Sequence, residues 1–237
     1  LHVRSRRQRQ MCIRDRENIL AIATPEHFKA LRISILLSLI ATVVCLLLAY
    51  PLAMILARME VNTHSFIVLI FILPMWMNFL LRTMAWQTLL EKTGVINSIL
   101  NFLHLPALRI INTPYAIVLG MVYNFLPFMV LPIYNALSKI DRSIIHAAKD
   151  LGANNIQVFF KITLPLSVPG IISGITMVFI PALTTFVISK LLGGSKVLLI
   201  GNVIEEEFTQ ASNWHLGSGL SIVLLSLIHI SEPTRPY

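Results

Sequence analysis

Charge is scarce in this chain and absent from long stretches of it. Charged residues make up 13% of its 237 residues, against about 25% in a typical soluble domain. Five uncharged runs of 21 to 29 residues lie between successive charged side chains, at 33–57, 61–81, 110–138, 162–189 and 208–231. A membrane-spanning helix needs about 20 mostly apolar residues. The runs therefore predict an integral membrane protein, since the buried helices of a large soluble protein seldom stay uncharged for so long.

The residues of common catalytic and metal sites are also missing. The two cysteines, Cys12 and Cys45, predict neither a disulfide framework nor a metal site. The sequence has no G-x-x-x-x-G-K-[ST] phosphate-binding loop, and no nucleophile–base spacing stands out. We therefore expect no enzymatic activity, no metal and no cofactor in this chain.

The net charge of +8 does not indicate nucleic-acid binding, because the basic residues are unevenly placed. Six arginines lie in the first 16 positions. Such a cluster could be a tail on an anionic membrane surface or a segment foreign to the protein.

The uncharged runs predict an all-α polytopic bundle. The expected helices are 33–57, 66–89, 115–137, 166–189 and 216–230. Proline and glycine within them predict bent, closely packed helices, although ordinary membrane-helix composition explains much of this. None of these spans has an acidic residue in its middle. Carriers driven by ion gradients usually keep ionisable groups there, so the sequence favours an external energy source.

A polar island at 138–165 separates two of the apolar runs. Its first part, 141–152, predicts a short helix with Asp141 as the N-cap and Gly152 just past the C-terminus. An apolar stripe at helical spacing comprises Ile144, Ala148 and Leu151. Asn154 or Asn155 can cap a second helix that leads into the membrane, with Pro165 where the chain re-enters it. Periodicity alone fits a docking site for a soluble partner and an amphipathic loop on lipid equally well.

The residues of this island resemble the EAA motif of ABC-importer permeases, E-A-A-x-x-x-G, nine residues, then I-x-L-P. The matching residues are Ala147, Ala148, Gly152, Ile162, Leu164 and Pro165, with His146 where the family usually has glutamate. In that family the loop forms coupling helices seated in a groove of the cytoplasmic ATPase subunit. The resemblance implies the same role for 146–165, and it leaves the contacts of the missing glutamate open.

Further blocks resemble the PotB-type spermidine/putrescine permease family across about 25–227. They are 73–86, 126–132, 178–183, 191–202, Asn213-Trp214 and Leu216-Gly217. The resemblance implies a MetI-like type I permease fold, with about five of an expected six spans present, in a bacterial plasma (inner) membrane. It also implies lipid contact and three protein partners: a dimeric ATP-binding subunit that hydrolyses ATP, a second homologous permease and an extracytoplasmic substrate-binding protein.

The two ends of the chain depart from the family pattern. Residues 1–16 and 228–237 resemble translated sequencing-adapter sequence, and we expect them to be non-native or, for 1–16, disordered. The alternative is a genuine basic tail and a short last helix. The expected permease domain is then 17–227, with the coupling loop at about 138–165.

Charge bias alone does not orient the bundle. With the 138–165 loop in the cytoplasm, the positive-inside rule counts five Lys and Arg there against seven on the opposite side. The five are Arg58, Lys139, Arg142, Lys149 and Lys161. The seven are Lys29, Arg32, Arg82, Lys92, Arg109, Lys190 and Lys196.

A polyamine is a flexible polycation, and cations are attracted to aromatic ring faces. The candidate substrate-path residues in or near the spans are Trp76, Asn78, Trp86, Tyr123 and Asn124. The acidic run 205–207 could attract a cation from the outer side. Packing and a solvated loop face are the plain alternatives. Two other functions stay open: an ABC importer for another small solute, and a self-powered carrier or channel.

Overall fold

The computed structural model describes residues 25–58, 73, 75–194, 196–211 and 214–231. These residues are helical and include no strand, which confirms the predicted all-α class. The helices are α1 (Pro25–Arg58), α2 (Phe79–Leu90), α3 (Val95–Phe102), α4 (Pro114–Ser138), α5 (Arg142–Asp150), α6 (Asn155–Val158), α7 (Leu164–Thr184), α8 (Val187–Gly193), α9 (Ile200–Thr209) and α10 (Trp214–Ser231). A π-helical segment, Phe159–Thr163, joins α6 to α7.

Three helical stretches in the described residues are long and apolar enough to cross a membrane. They are α1, α4 and the continuous stretch Asn155–Thr184. The apolar part of α10, Trp214–Ser226, is shorter. The predicted spans 33–57, 115–137 and 216–230 correspond to α1, α4 and α10, each with slightly wider bounds.

A ridge of small side chains on α1 builds the centre of the bundle. Ala41, Cys45, Ala49 and Ala53 recur every four residues, and all four are fully buried. Small residues at this spacing let two helix backbones approach closely in a membrane. The large buried side chains of α4, such as Met121, pack into the space that they leave.

Glycines on α7 serve the same purpose against α4. A Cβ atom built on Gly170 would lie 2.5 Å from the Cβ of Ala136 and 2.7 Å from the Pro132 carbonyl oxygen. One built on Gly174 would lie 2.7 Å from the sulfur of Met129. The α4–α7 approach therefore depends on glycine, in agreement with the close packing predicted for this span.

The predicted span 166–189 has the wrong bounds at both ends. Its helix begins upstream and ends at Thr184, and α8 begins at Val187 after an extended Thr185. Hydropathy misses this break because the apolar run continues through it. Side chains of α9 and α8 satisfy the Phe186 carbonyl at this break: Asn202 Nδ2 and Ser189 Oγ both donate to it, at 3.2 Å and 2.9 Å. The absence of a side chain at Gly201 lets α9 approach the carbonyls of residues 184 and 185.

The predicted span 66–89 is interrupted before Phe79. Asn78 is non-helical, and its side-chain oxygen accepts from the backbone N–H groups of Leu80 (2.8 Å) and Leu81 (3.4 Å). It is the N-cap of α2. The upstream part, 66–72, lies outside the described residues. The short helices α3 and α9 were not predicted, because each lies in a segment too short to form an uncharged run.

Candidate functional site

Helix α5 forms where the polar island predicted it and has the predicted ends. The carboxylate of Asp141 accepts from the Ser143 backbone N–H at 2.9 Å. Hydrogen bonds from the Ser143 backbone and hydroxyl lower the pKa of Asp141 below its usual value, so the carboxylate cap is ionised at neutral pH. At the other end Gly152 has φ +86° and donates to the Lys149 carbonyl at 2.9 Å. This is the left-handed position that glycine occupies without strain.

Helix α5 presents two different faces, and none of its nine residues is buried. The outward face comprises Ile144, Ala147, Ala148 and the adjoining Leu151, whose side chain is 89% exposed. The inner face comprises Arg142, Ile145, His146 and Lys149, all of which line a cavity in the bundle. At 3.6 residues per turn these sets are centred about 180° apart on the helix.

The first three residues of the motif, 146–148, therefore lie on two different faces of α5. Ala147 and Ala148 lie on the outward face, whereas His146 lies on the cavity face. Of the predicted stripe, Ile144 and Leu151 are exposed and Ala148 is half-buried. The inner face, in contrast, was not singled out from the sequence. Its signal was present, since 142, 145, 146 and 149 follow the i, i+3, i+4, i+7 spacing of one helix face.

The second half of the island is a continuous extension of α7. Asn154 caps α6 in a reciprocal capping box with Gln157, with hydrogen bonds of 2.8 Å and 3.0 Å. The helix then widens into the π segment, where the Leu164 N–H donates to the Phe159 carbonyl five residues back. Ile162 is half-buried in this segment. The stretch from α6 to α7 is therefore continuous and has no intervening loop.

At Pro165, where the sequence predicts re-entry into the membrane, the helix is continuous. Pro165 lies in the first turn of α7, next to Leu164, inside the continuous helical stretch. Proline lacks an N–H group and crowds the carbonyl four residues earlier. The widened π turn directly before it accommodates both effects.

Contacts with α1 hold the π segment in place. The rings of Tyr50 and Phe159 meet edge to face, with centroids 5.7 Å apart. The Tyr50 hydroxyl lies 3.0 Å from Ser167 Oγ, a hydrogen bond in which either oxygen can donate. These two contacts connect α1 to the π segment and to the start of α7.

The cavity behind α5 has a volume of about 650 Å³. Its walls are the last turns of α1 and α4, the inner face of α5 and the start of the α6–α7 stretch. Four basic residues line it: Arg58, Arg142, His146 and Lys149. The described part of its lining includes no carboxylate.

The candidate substrate-path residues do not converge on one site. Trp86 and Tyr123 do meet, with ring centroids 5.2 Å apart and planes at 66°, and Tyr123 remains 39% exposed. Asn124 is 1% exposed, and its amide donates to the Gly120 carbonyl at 2.8 Å. Trp76 is 79% exposed on the surface. Asn78 is occupied as the N-cap of α2.

The acidic run 205–207 is split by the structure. Glu205 forms an ion pair with Lys190 of α8. Glu206 and Glu207 line a cavity of about 690 Å³ beside the start of α1, where Glu26 and Lys29 also lie.

Arg82, which was counted in the positive-inside comparison, is buried within α2. Lys190 still counts although it is paired, because the rule counts Lys and Arg whatever acidic residues lie beside them. Charge bias therefore does not orient the bundle.

The chain matches known transport proteins over most of its length. The profile of the family described as "Binding-protein-dependent transport system inner membrane component" matches residues 30–231. The spermidine/putrescine transport system permease protein PotB of Haemophilus influenzae is 41% identical over 215 residues, which cover 90% of this chain and 75% of that protein. PotB of Escherichia coli K12 is 40% identical over 88% of this chain and 76% of that protein. The inner membrane ABC transporter permease protein YdcU of the same strain is 29% identical, over 89% and 72%.

Solved structures support the fold independently. A bacterial alginate ABC transporter, crystallised with an alginate pentasaccharide-bound periplasmic protein, has a chain that superposes with a TM-score of 0.75. The match covers 90% of this chain and 79% of that chain at 18% identity. This chain belongs to the family of binding-protein-dependent transport-system inner-membrane components, and it is an inner-membrane permease subunit of an ABC transporter.

Proposed function

We propose that this permease imports polyamines, spermidine or putrescine, in an ATP-driven complex. The observation that carries the substrate class is the 41% identity to a spermidine/putrescine permease over 90% of the chain. The partners in this proposal are two cytoplasmic ATP-binding subunits, a second homologous permease and an extracytoplasmic binding protein.

Helix α5 is the proposed docking element for the ATP-binding subunit. Its outward face exposes Ile144 and Leu151 around the small pair Ala147-Ala148. Small residues allow a groove to approach the helix backbone, and flanking apolar side chains provide buried area once the groove closes over them. Exposed apolar side chains on a capped, ordered helix fit a surface that is covered in the assembly.

ATP hydrolysis by the partner supplies the energy in this proposal. The described membrane-spanning stretches carry no carboxylate in their middle, where ion-coupled carriers keep ionisable groups. The continuous helix from Asn155 to Thr184 provides a rigid route for the mechanical input. The motion of the docked subunit would reach α7 through this helix and reach α1 through the Tyr50 contacts.

The proposed path for the polycation passes the Trp86–Tyr123 pair. This pair keeps ring surface exposed between α2 and α4. A cation–π contact contributes about 0.5–2 kcal/mol, which favours passage without trapping the substrate. Asn124 and Asn78 are assigned structural roles instead, because one is buried and the other caps a helix.

The coupling role is tested with Leu151→Asp in the complete transporter reconstituted into liposomes. Leu151 contacts little within the chain, so we expect unchanged thermal stability, loss of the co-purifying ATP-binding subunit and at least about a tenfold fall in ATP-driven uptake. Leu103→Asp is the matched control, because Leu103 is also an exposed leucine at a helix C-terminus but lies far from α5 in sequence. Normal assembly and uptake in Leu151→Asp would contradict the docking assignment. Uptake that persists without any ATP-binding subunit would point to a self-powered carrier.

The substrate is tested on the binding protein encoded beside this permease. Calorimetry should detect spermidine or putrescine binding, and the same protein should be required for uptake. A binding protein that ignores polyamines and binds another solute would overturn the substrate class while leaving the coupling result intact.

A further inference from the structure

The described lining of the cavity behind α5 contains basic side chains and no carboxylate. None of Arg58, Arg142, His146 and Lys149 forms an ion pair with another described residue. Asp141 is engaged as the N-cap of α5, and Asp150 lies on the same helix outside the cavity lining. Arg58, Arg142 and Lys149 carry like charges around one partly open space. Like charges repel each other, so a bound anion would be attracted to this site.

Apart from its basic residues, the lining is mainly apolar and includes a few polar groups. Met54, Ala57 and Leu137 form an apolar wall from the last turns of α1 and α4. Ser138 and Asn155 contribute hydroxyl and amide groups near the basic residues. A space of about 650 Å³ is large enough for a headgroup together with the first part of an acyl chain. The ligand that matches this lining is an anionic amphiphile.

The position of the cavity points to the source of that amphiphile. It opens at the ends of two membrane-spanning helices, with Arg58 in the last turn of α1. Arginine and lysine at helix ends lie at the level of the lipid phosphates. Basic pockets between membrane helices on the cytoplasmic side are suited to anionic headgroups.

We propose that this cavity binds the phosphodiester headgroup of an anionic phospholipid of the cytoplasmic leaflet, such as phosphatidylglycerol. The inference rests on the proposed function, which places α5 on the cytoplasmic side. The bound phosphate bridges Arg58 of α1 to Arg142 and Lys149 of α5. Since no residue of α5 is buried, this bridge supports the coupling helix against the bundle from the side opposite its docking face.

The test is the lipid retained by the intact transporter. The complex is reconstituted into nanodiscs of phosphatidylcholine with a minor fraction of phosphatidylglycerol, and the phosphatidylglycerol still bound after extraction is counted by native mass spectrometry. The double variant Arg142→Gln/Lys149→Gln is compared with Lys139→Gln/Lys161→Gln. The control removes the same charge at the same end of the bundle, and both of its lysines are exposed outside the cavity lining.

We expect the cavity variant to retain at least about fivefold less phosphatidylglycerol than the wild type, and the control to retain the wild-type amount. Arg58→Gln alone should give a smaller loss in the same direction. Equal retention in the cavity and control variants would overturn the proposal. Loss of the ATP-binding subunit with phosphatidylglycerol retained would also overturn it, because the cavity would then receive an acidic partner side chain. Retention is measured without substrate or ATP, so the result is independent of the polyamine assignment.

Discussion

The interface between α1 and α4 and the coupling segment 142–163 are built in opposite ways. In the first, small and large side chains interlock until Ala41, Cys45 and Met121 have no exposed surface. In the second, α5 has no buried residue at all and depends on its caps for local order. A core of the first kind is stable within one chain, whereas a helix of the second kind is completed by what binds it. We therefore expect substitutions in the first region to change stability and substitutions in the second to change the proposed coupling.

The largest effect is expected from Gly170→Val in the packed region. Any side chain here meets the backbone of α4, with a Cβ 2.7 Å from the Pro132 carbonyl oxygen. Relieving this clash requires α7 to move away from α4, which should lower the free energy of unfolding by about 3 kcal/mol. Thermal unfolding in detergent should show a clear loss of stability and of assembled transporter. A wild-type melting temperature would mean that the α4–α7 interface is looser than its geometry indicates.

Gly152→Ala tests the same kind of residue in the coupling segment. No atom lies within 4 Å of the added methyl group, so the cost comes from φ +86° alone, about 1–2 kcal/mol. The strain should be relieved locally by a change in the angle between α5 and α6. We expect an unchanged melting temperature and a several-fold fall in uptake per hydrolysed ATP. A global loss of stability equal to that of Gly170→Val would remove the distinction between the two regions.

Asn124→Leu probes a polar residue inside the packed region. The Asn124 side-chain oxygen has no hydrogen-bond partner among the described residues, whereas its amide donates to Gly120. The substitution removes one intrahelical hydrogen bond, which is destabilising, and one unsatisfied buried carbonyl, which is stabilising. The free energy of unfolding should therefore change by no more than about 1 kcal/mol. Chemical denaturation measures this, and uptake should stay near wild type. A large loss of uptake at normal stability would return Asn124 to the substrate path.

The smallest effect is expected from Glu205→Gln, which breaks the ion pair with Lys190. Both side chains are partly exposed, and such pairs contribute about 0–1 kcal/mol. The change in melting temperature should be close to the error of the measurement and should shrink further in high salt. A large fall in melting temperature that does not change with salt would show that α8 and α9 depend on this ion pair, as the α1–α4 interface depends on packing.

Much of the fold was predictable, because membrane spans and helix caps are local properties. The uncharged runs located α1, α4 and α10, while Asp141, Gly152 and Asn154 marked the ends of the coupling helices. The breaks at Asn78 and Thr185 were missed, since an apolar run looks the same whether or not its helix is continuous. The substrate path stays a prediction. Aromatic and amide residues were chosen by type, and the contact between Trp86 and Tyr123 on different helices could not be read from the sequence.

By itself the sequence determined the membrane class, the polar island and its division into capped helices, because hydropathy and capping act over a few residues. Only the tertiary structure decided what each face of α5 meets. The same segment could have turned His146 outward and Leu151 inward, since periodicity defines two faces without saying which one faces the bundle. Packing of α1, α4 and the α6–α7 stretch settled that choice, and it placed four basic side chains around one cavity.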